Sequence, residues 1–149
     1  MRQHKIPFRT YNILGLPDET LEDVYSTIRL NQEIRADYPW VSLLMPYRGT
    51  EIYEHFKDRY QPGLTNDLEW FFPKSDIYRG KKELLNLHNL FILYIKLPFL
   101  KPFLDLLIKL PPNPVYRLIY KISYAWASYR SEGMTPGRFI KYLFKMYFR

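Results

Sequence analysis

The chain has 149 residues, with 47% apolar and 18% aromatic residues and a formal net charge of +7, enough length for one domain with a core of its own. It contains no cysteine, which excludes a disulfide framework and any thiolate-held zinc or iron–sulfur site built from this chain alone. His4, His55 and His88 lie far apart in the sequence and make no close ligand pair, so surface or lightly buried positions are expected for them and a metal site is not.

In chain order, residues 8–16 read as a strand, ended by Gly15 and Pro17. Thr20 is a good helix N-cap, with Glu22 and Asp23 in the first turn, where the helix dipole favours negative charge. Leu21, Val24, Ile28 and Ile34 recur at helical spacing, with Asn31 as a weak point in the stripe, and predict a helix over 20–35. The run WVSLLM, 40–45, predicts a strand buried on both faces. Pro46, Tyr47, Arg48 and Gly49 form a turn, after which Thr50 caps a helix through Phe56. Strand, helix, strand, helix with short connections is a βαβα unit of α/β class with parallel strands. Ligands of such sheets bind beyond the carboxyl ends of the strands, which places a site at loops 15–20 and 46–50.

Residues 61–80, punctuated by Pro62, Gly63, Pro73 and Gly80, are expected to be an irregular linker. Helices are expected over 81–96, 99–110, 114–131 and 136–148. In the first of these Leu84, Leu87, Phe91 and Tyr94 share one face. The most apolar stretch, 90–110, is interrupted by Lys96, Pro98, Lys101, Pro102 and Asp105, and a spanning helix is not expected. Charge divides the chain. Residues 1–76 hold nine Lys/Arg and twelve Asp/Glu, whereas 77–149 hold thirteen Lys/Arg and three Asp/Glu. The expected organisation is therefore 1–60 as an α/β unit, 61–80 as a linker and 81–149 as a basic, aromatic-rich helical extension.

Physics alone leaves two readings of the corner at 15–20. It is either a binding loop, in which Gly15 lets a ligand approach the backbone and the helix N-terminus offers free N–H groups, or simply a well-capped turn. Neither glycine-rich phosphate motif occurs, and Asp18 and Glu19 would repel a phosphate. These carboxylates suit hydroxyls, an amine or a sulfonium better.

The stretch HKIPFRTYNILGLPDETLEDVYSTIRLNQEIRADYPWVSLLMPYRGTEIYE resembles the last part of the radical S-adenosylmethionine barrel, most of all its cobalamin-binding branch. Members of that branch read "GLPGET", a helix, then a strand ending in "PYPGT". Gly15, Leu16, Pro17, Glu19 and Thr20 match the first motif, with Asp18 where the family has Gly. Pro46, Tyr47, Gly49 and Thr50 match the second, with Arg48 in place of Pro. The resemblance implies that residues 1–60 are the C-terminal βαβα piece of a partial (β/α) barrel. It also implies that Ile13, Gly15 and Glu19, with Met45, Pro46 and Tyr47 on the next strand, lie on the side that binds S-adenosylmethionine, and that no catalytic residue is carried by this chain. The [4Fe–4S] cluster and cobalamin of the family would belong to parts outside it, since the cluster motif is three cysteines.

Two functions follow as expectations. The chain is a piece of a cobalamin-dependent radical S-adenosylmethionine enzyme of methyl-transfer type. It would be inactive alone, with the N-terminal barrel half and the cobalamin domain as partners in cis or in trans. The alternative is a non-enzymatic binding module whose basic aromatic tail contacts an anionic membrane surface, with nucleic acid a poorer fit, and the plainer reading of the same tail is that its Tyr, Phe and Leu side chains pack onto the barrel while the lysines face water. The N-terminal MRQHKIPFRT has no apolar segment of the signal-peptide kind, and the expected location is cytoplasmic, extending to the membrane periphery.

Overall fold

Thr, Tyr, Ile and Leu in a short alternating run form strand β1 (Arg9–Leu14) in this computed structural model, which describes residues 6–47, 49–56, 81–133 and 135–147. The strand stops two residues before the expected end, because Gly15 turns to φ +84°. Helix α1 (Leu21–Glu33) then begins at the expected cap. The Thr20 hydroxyl accepts from the Asp23 N–H and the Asp23 carboxylate accepts from the Thr20 N–H, a reciprocal capping box. The helix ends two residues earlier than expected. Arg35 takes φ +50°, its N–H donates to the Gln32 carbonyl and the Ala36 N–H to that of Asn31, which closes a Schellman turn.

Strand β2 (Tyr38–Leu43) pairs in parallel with β1, Tyr11 opposite Trp40 and Leu14 opposite Leu43. The parallel pairing agrees with the expectation, whereas burial of β2 on both faces does not. Pro39, Val41 and Leu43 are buried, while Tyr38, Trp40 and Ser42 are half-exposed. The continuous apolar run misled because it straddles the strand end: Leu44 already lies in the following loop. Helix α2 (Glu51–Phe56) follows, capped by Thr50, whose hydroxyl accepts from the Tyr53 N–H at 3.2 Å. The expected linker 61–80 lies outside the described residues.

Helix α3 (Lys82–Lys96) is the central piece. Its expected face of Leu84, Leu87, Phe91 and Tyr94 is buried, and so are Asn86, His88, Leu90 and Ile95, leaving little of it to water. It runs parallel to α1. Lys81, just before its first turn, is within electrostatic reach of Glu19 at the start of α1, and at the far end Gln32 donates to the Tyr94 carbonyl and Lys96 to that of Ala36. A short 3-10 turn, Pro98–Leu100, leads into α4 (Lys101–Leu107), so the single helix expected over 99–110 is two shorter pieces. Asp105, a charge inside the apolar stretch, is satisfied there: Tyr25 and Tyr94 donate their hydroxyls to it at 2.8 and 3.0 Å and Lys101 its ammonium at 2.6 Å.

Helix α5 (Pro114–Ser131) starts at Asn113, whose side chain accepts from the Tyr116 N–H, and packs on α3. It also closes the outer edge of β2, where the Tyr120 hydroxyl donates to the Val41 carbonyl at 2.9 Å. Pro39 on that edge has no N–H to offer a further strand. Helix α6 (Pro136–Tyr147) ends the described chain. One core joins both ends of the sequence: Leu14, Val24, Ile28, Val41 and Leu43 meet Leu87, Leu90, Phe91, Leu104 and Tyr120. Each such side chain contributes about 1.5–3 kcal/mol when fully buried. Over the described residues the chain is thus a mixed α/β fold with two parallel strands and several helices. Among the described residues no helix is long and apolar enough to cross a membrane.

Candidate functional site at the carboxyl ends of the strands

The two strands end side by side, and the Leu44 N–H donates to the Leu14 carbonyl at 2.8 Å, so loops 15–20 and 44–50 leave the sheet together. In the first loop Gly15 is buried and left-handed, a conformation that costs an L-residue roughly 1–2 kcal/mol. Its N–H donates to the Glu19 carboxylate, and the Glu19 N–H returns to the Leu16 carbonyl at 3.2 Å. Burial raises the Glu19 pKa, opposed by the N–H groups of Gly15 and Leu16 and by Lys81. Asp18, where the resembling family has Gly, takes φ +61°, the backbone a glycine would adopt.

Ile13 lies on the opposite face of the sheet from α1 and is 53% exposed. With Tyr11, Trp40 and Ser42 it makes a partly open floor below the corner. In the second loop Met45 is half-buried, Pro46 buried and Tyr47 exposed, and the Tyr47 carbonyl accepts from both the N–H and the hydroxyl of Thr50. The structure thus brings the six sequence-derived residues to one end of the sheet, Ile13 near the end of β1 with Gly15 and Glu19 on the loop after it, and Met45, Pro46 and Tyr47 on the neighbouring loop.

Chemically the corner offers a glycine backbone without a Cβ, a half-buried carboxylate with acceptor capacity left, and an apolar floor. Those features fit the hydroxyls and flat ring of a nucleoside better than a phosphate. They do not fit an iron–sulfur cluster, because the chain has no thiolate to hold one. Among the described residues no three of His, Asp and Glu come together as a metal site.

Sequence reasoning missed the polar layer that fixes α1 beneath the corner. Asn31 is 1% exposed. It donates to the Asn12 side chain and to the Thr27 carbonyl, each at 2.8 Å, and accepts from the Thr10 hydroxyl at 2.6 Å. The available signal was Thr10 and Asn12 alternating on the inner face of β1. His88 departs furthest from the expected exposure. It is buried, stacked on Tyr120 with ring centres 4.5 Å apart, and its Nε2 has no partner. His55 is exposed as expected.

No protein-family model and no solved structure matches the chain. Short stretches are similar to curated proteins. The chain is 34% identical over 59 residues to bacteriochlorophyllide d C-12(1)-methyltransferase of Chlorobaculum tepidum, a match covering 40% of this chain and 13% of that one. It is 40% identical over 43 residues to an uncharacterised methyltransferase of Pyrococcus horikoshii, covering 29% of this chain and 9% of the other. It is 30% identical over 77 residues to tRNA-2-methylthio-N(6)-dimethylallyladenosine synthase of Thermus thermophilus, covering 46% and 17%. The matches thus span less than a fifth of each relative's length. These partial similarities point to a relation with the radical S-adenosylmethionine family and to transferase chemistry, at that coarse level.

Proposed function

We propose that this chain supplies the corner at which a cobalamin-dependent radical S-adenosylmethionine protein of methyl-transfer type holds the adenosine end of its cosubstrate. The observation that carries this reading is the adjacent, parallel ending of β1 and β2, with a left-handed, buried Gly15 on one loop and the Met45–Tyr47 stretch on the other. In this reading Gly15 lets the ribose approach the backbone, Glu19 accepts from a ribose hydroxyl, and Ile13 packs on the adenine ring. The Met45, Pro46 and Tyr47 loop borders the nucleoside on the β2 side. Asp18 contributes negative potential that favours a sulfonium over a phosphate.

Bound S-adenosylmethionine would supply the radical and methyl chemistry in the whole assembly. The residues of this chain bind and orient it; they neither reduce it nor move a proton. The cluster, the cobalamin and the remaining strands come from a segment that pairs with the outer edge of β1, in cis or in trans. The chain alone is then without activity.

The test uses the chain assembled with a cysteine-bearing barrel segment from the same source, read first from the DNA upstream of Met1. Equilibrium dialysis of S-adenosylmethionine should give saturable binding, and Ile13→Glu should weaken it at least about tenfold, since a carboxylate would be desolvated against the adenine. Ile13 is exposed, so thermal unfolding of the isolated chain should be unchanged. Equal binding by wild type and variant, with the two parts still co-eluting, would reject the assignment.

A further inference from the structure

Helix α5 has two faces of different fate. Tyr116, Tyr120 and Ala127 are buried toward α3 and β2. On the opposite face Val115, Leu118, Ile122 and Trp126 follow one another at spacings of three and four residues, which aligns them in one stripe, and they are between 46% and 60% exposed. A soluble helix normally turns charge outward at such positions. Exposed cations accompany the outward apolar stripe: Arg130 borders it on the helix, and Lys109 lies in the segment that leads into the helix. From residue 106 to residue 131 there is no Asp or Glu. The preceding α4 also carries exposed apolar side chains, Phe103 and Leu106, with the exposed Lys109 just beyond its end.

We infer that the outer face of α5 docks in the interface of an anionic lipid bilayer, lying along the surface with the Val115–Trp126 stripe among the acyl chains. Charge complementarity selects this occupant: a stripe meant for a protein partner of mixed charge has no reason to exclude every carboxylate over twenty-six residues, whereas a phospholipid surface repels each one. Trp126 suits the headgroup boundary, having an apolar ring system and one N–H to leave in the polar layer. The prolines at 111, 112 and 114 and the 18-residue length of α5 keep it a separate amphipathic helix, and none of the described helices is apolar enough to cross. This inference does not rest on the nucleoside site, which lies at the carboxyl ends of the strands.

The test is flotation of the full chain with vesicles through a density gradient, in which aggregates sink and only vesicle-bound protein rises. Vesicles of phosphatidylcholine with about one-third phosphatidylglycerol should carry the chain up in low salt and release most of it in high salt, while pure phosphatidylcholine should not. Ile122→Glu, and separately the pair Lys109→Glu with Arg130→Glu, should each lower the apparent affinity at least about tenfold. Leu30→Glu, equally exposed but on α1, should leave flotation unchanged. All these positions are exposed, and circular dichroism should show the same helix content throughout. Equal flotation with neutral and anionic vesicles would overturn the inference. So would no flotation with either, or flotation that survives Ile122→Glu or is lost equally with Leu30→Glu.

Discussion

Two residues show how far single side chains bend to the fold. Asp18 accepts a left-handed backbone because its short polar side chain tolerates that region better than most. His88 accepts burial. Desolvation, opposed by the neighbouring Asn89 side chain and Val41 carbonyl, lowers its pKa from 6.5 to about 4. A histidine depressed in the folded state binds its proton more readily when unfolded. Its contribution is therefore whole above pH 6.5 and is lost as pH falls from 6.5 toward 4. The loss amounts to about 3 kcal/mol over that window. His88→Leu should flatten the fall between pH 6.5 and 4, whatever it does to stability at neutral pH. Urea unfolding of both proteins across that range checks this, and parallel pH profiles would refute it.

At the scale of elements, the caps and stripes were legible and the partners were not. Thr20 as N-cap, with Glu22 and Asp23 in the first turn, announced the start of α1 because capping is a local device, and the structure completes it as a capping box within four residues. Its end was misjudged because Arg35 sits in a Schellman position that usually takes Gly. Arg35→Gly should therefore relieve left-handed strain and raise stability by about 0.5–1 kcal/mol, net of the greater freedom of Gly in the unfolded chain. A rise of a few degrees in the melting temperature would show it, and a fall would mean that Arg35 makes a compensating contact. Asn31 looked like a flaw in an apolar stripe, yet it is the centre of a satisfied network, since its partners Thr10 and Asn12 come from another element. The position of α3 was equally hidden. Its four-residue apolar face gave a helix but not that almost every side would be covered, because α1, α4, α5 and β2 come together around it only in the fold.

For the whole molecule, the candidate loops were read from strand order and motif resemblance, and the described sheet is closed on one side only. Tyr120 and Pro39 finish the outer edge of β2. Across the sheet, the Phe8 and Leu14 carbonyls accept from Tyr38 and Leu44, so that Phe8, Thr10, Asn12 and Leu14 face β2 and the backbone groups of Arg9, Tyr11 and Ile13 point away from it. Among the described residues no strand pairs with that outer edge, and an unpaired edge recruits another strand. Hydrogen–deuterium exchange at Tyr11 and Ile13, resolved by NMR, tests this account most directly. In the isolated chain these two amides should exchange fast while that of Leu44 is protected, and assembly with the cysteine-bearing segment should slow both by orders of magnitude. Protection of Tyr11 and Ile13 already in the isolated chain, or their continued fast exchange in an assembly that binds S-adenosylmethionine, would contradict it.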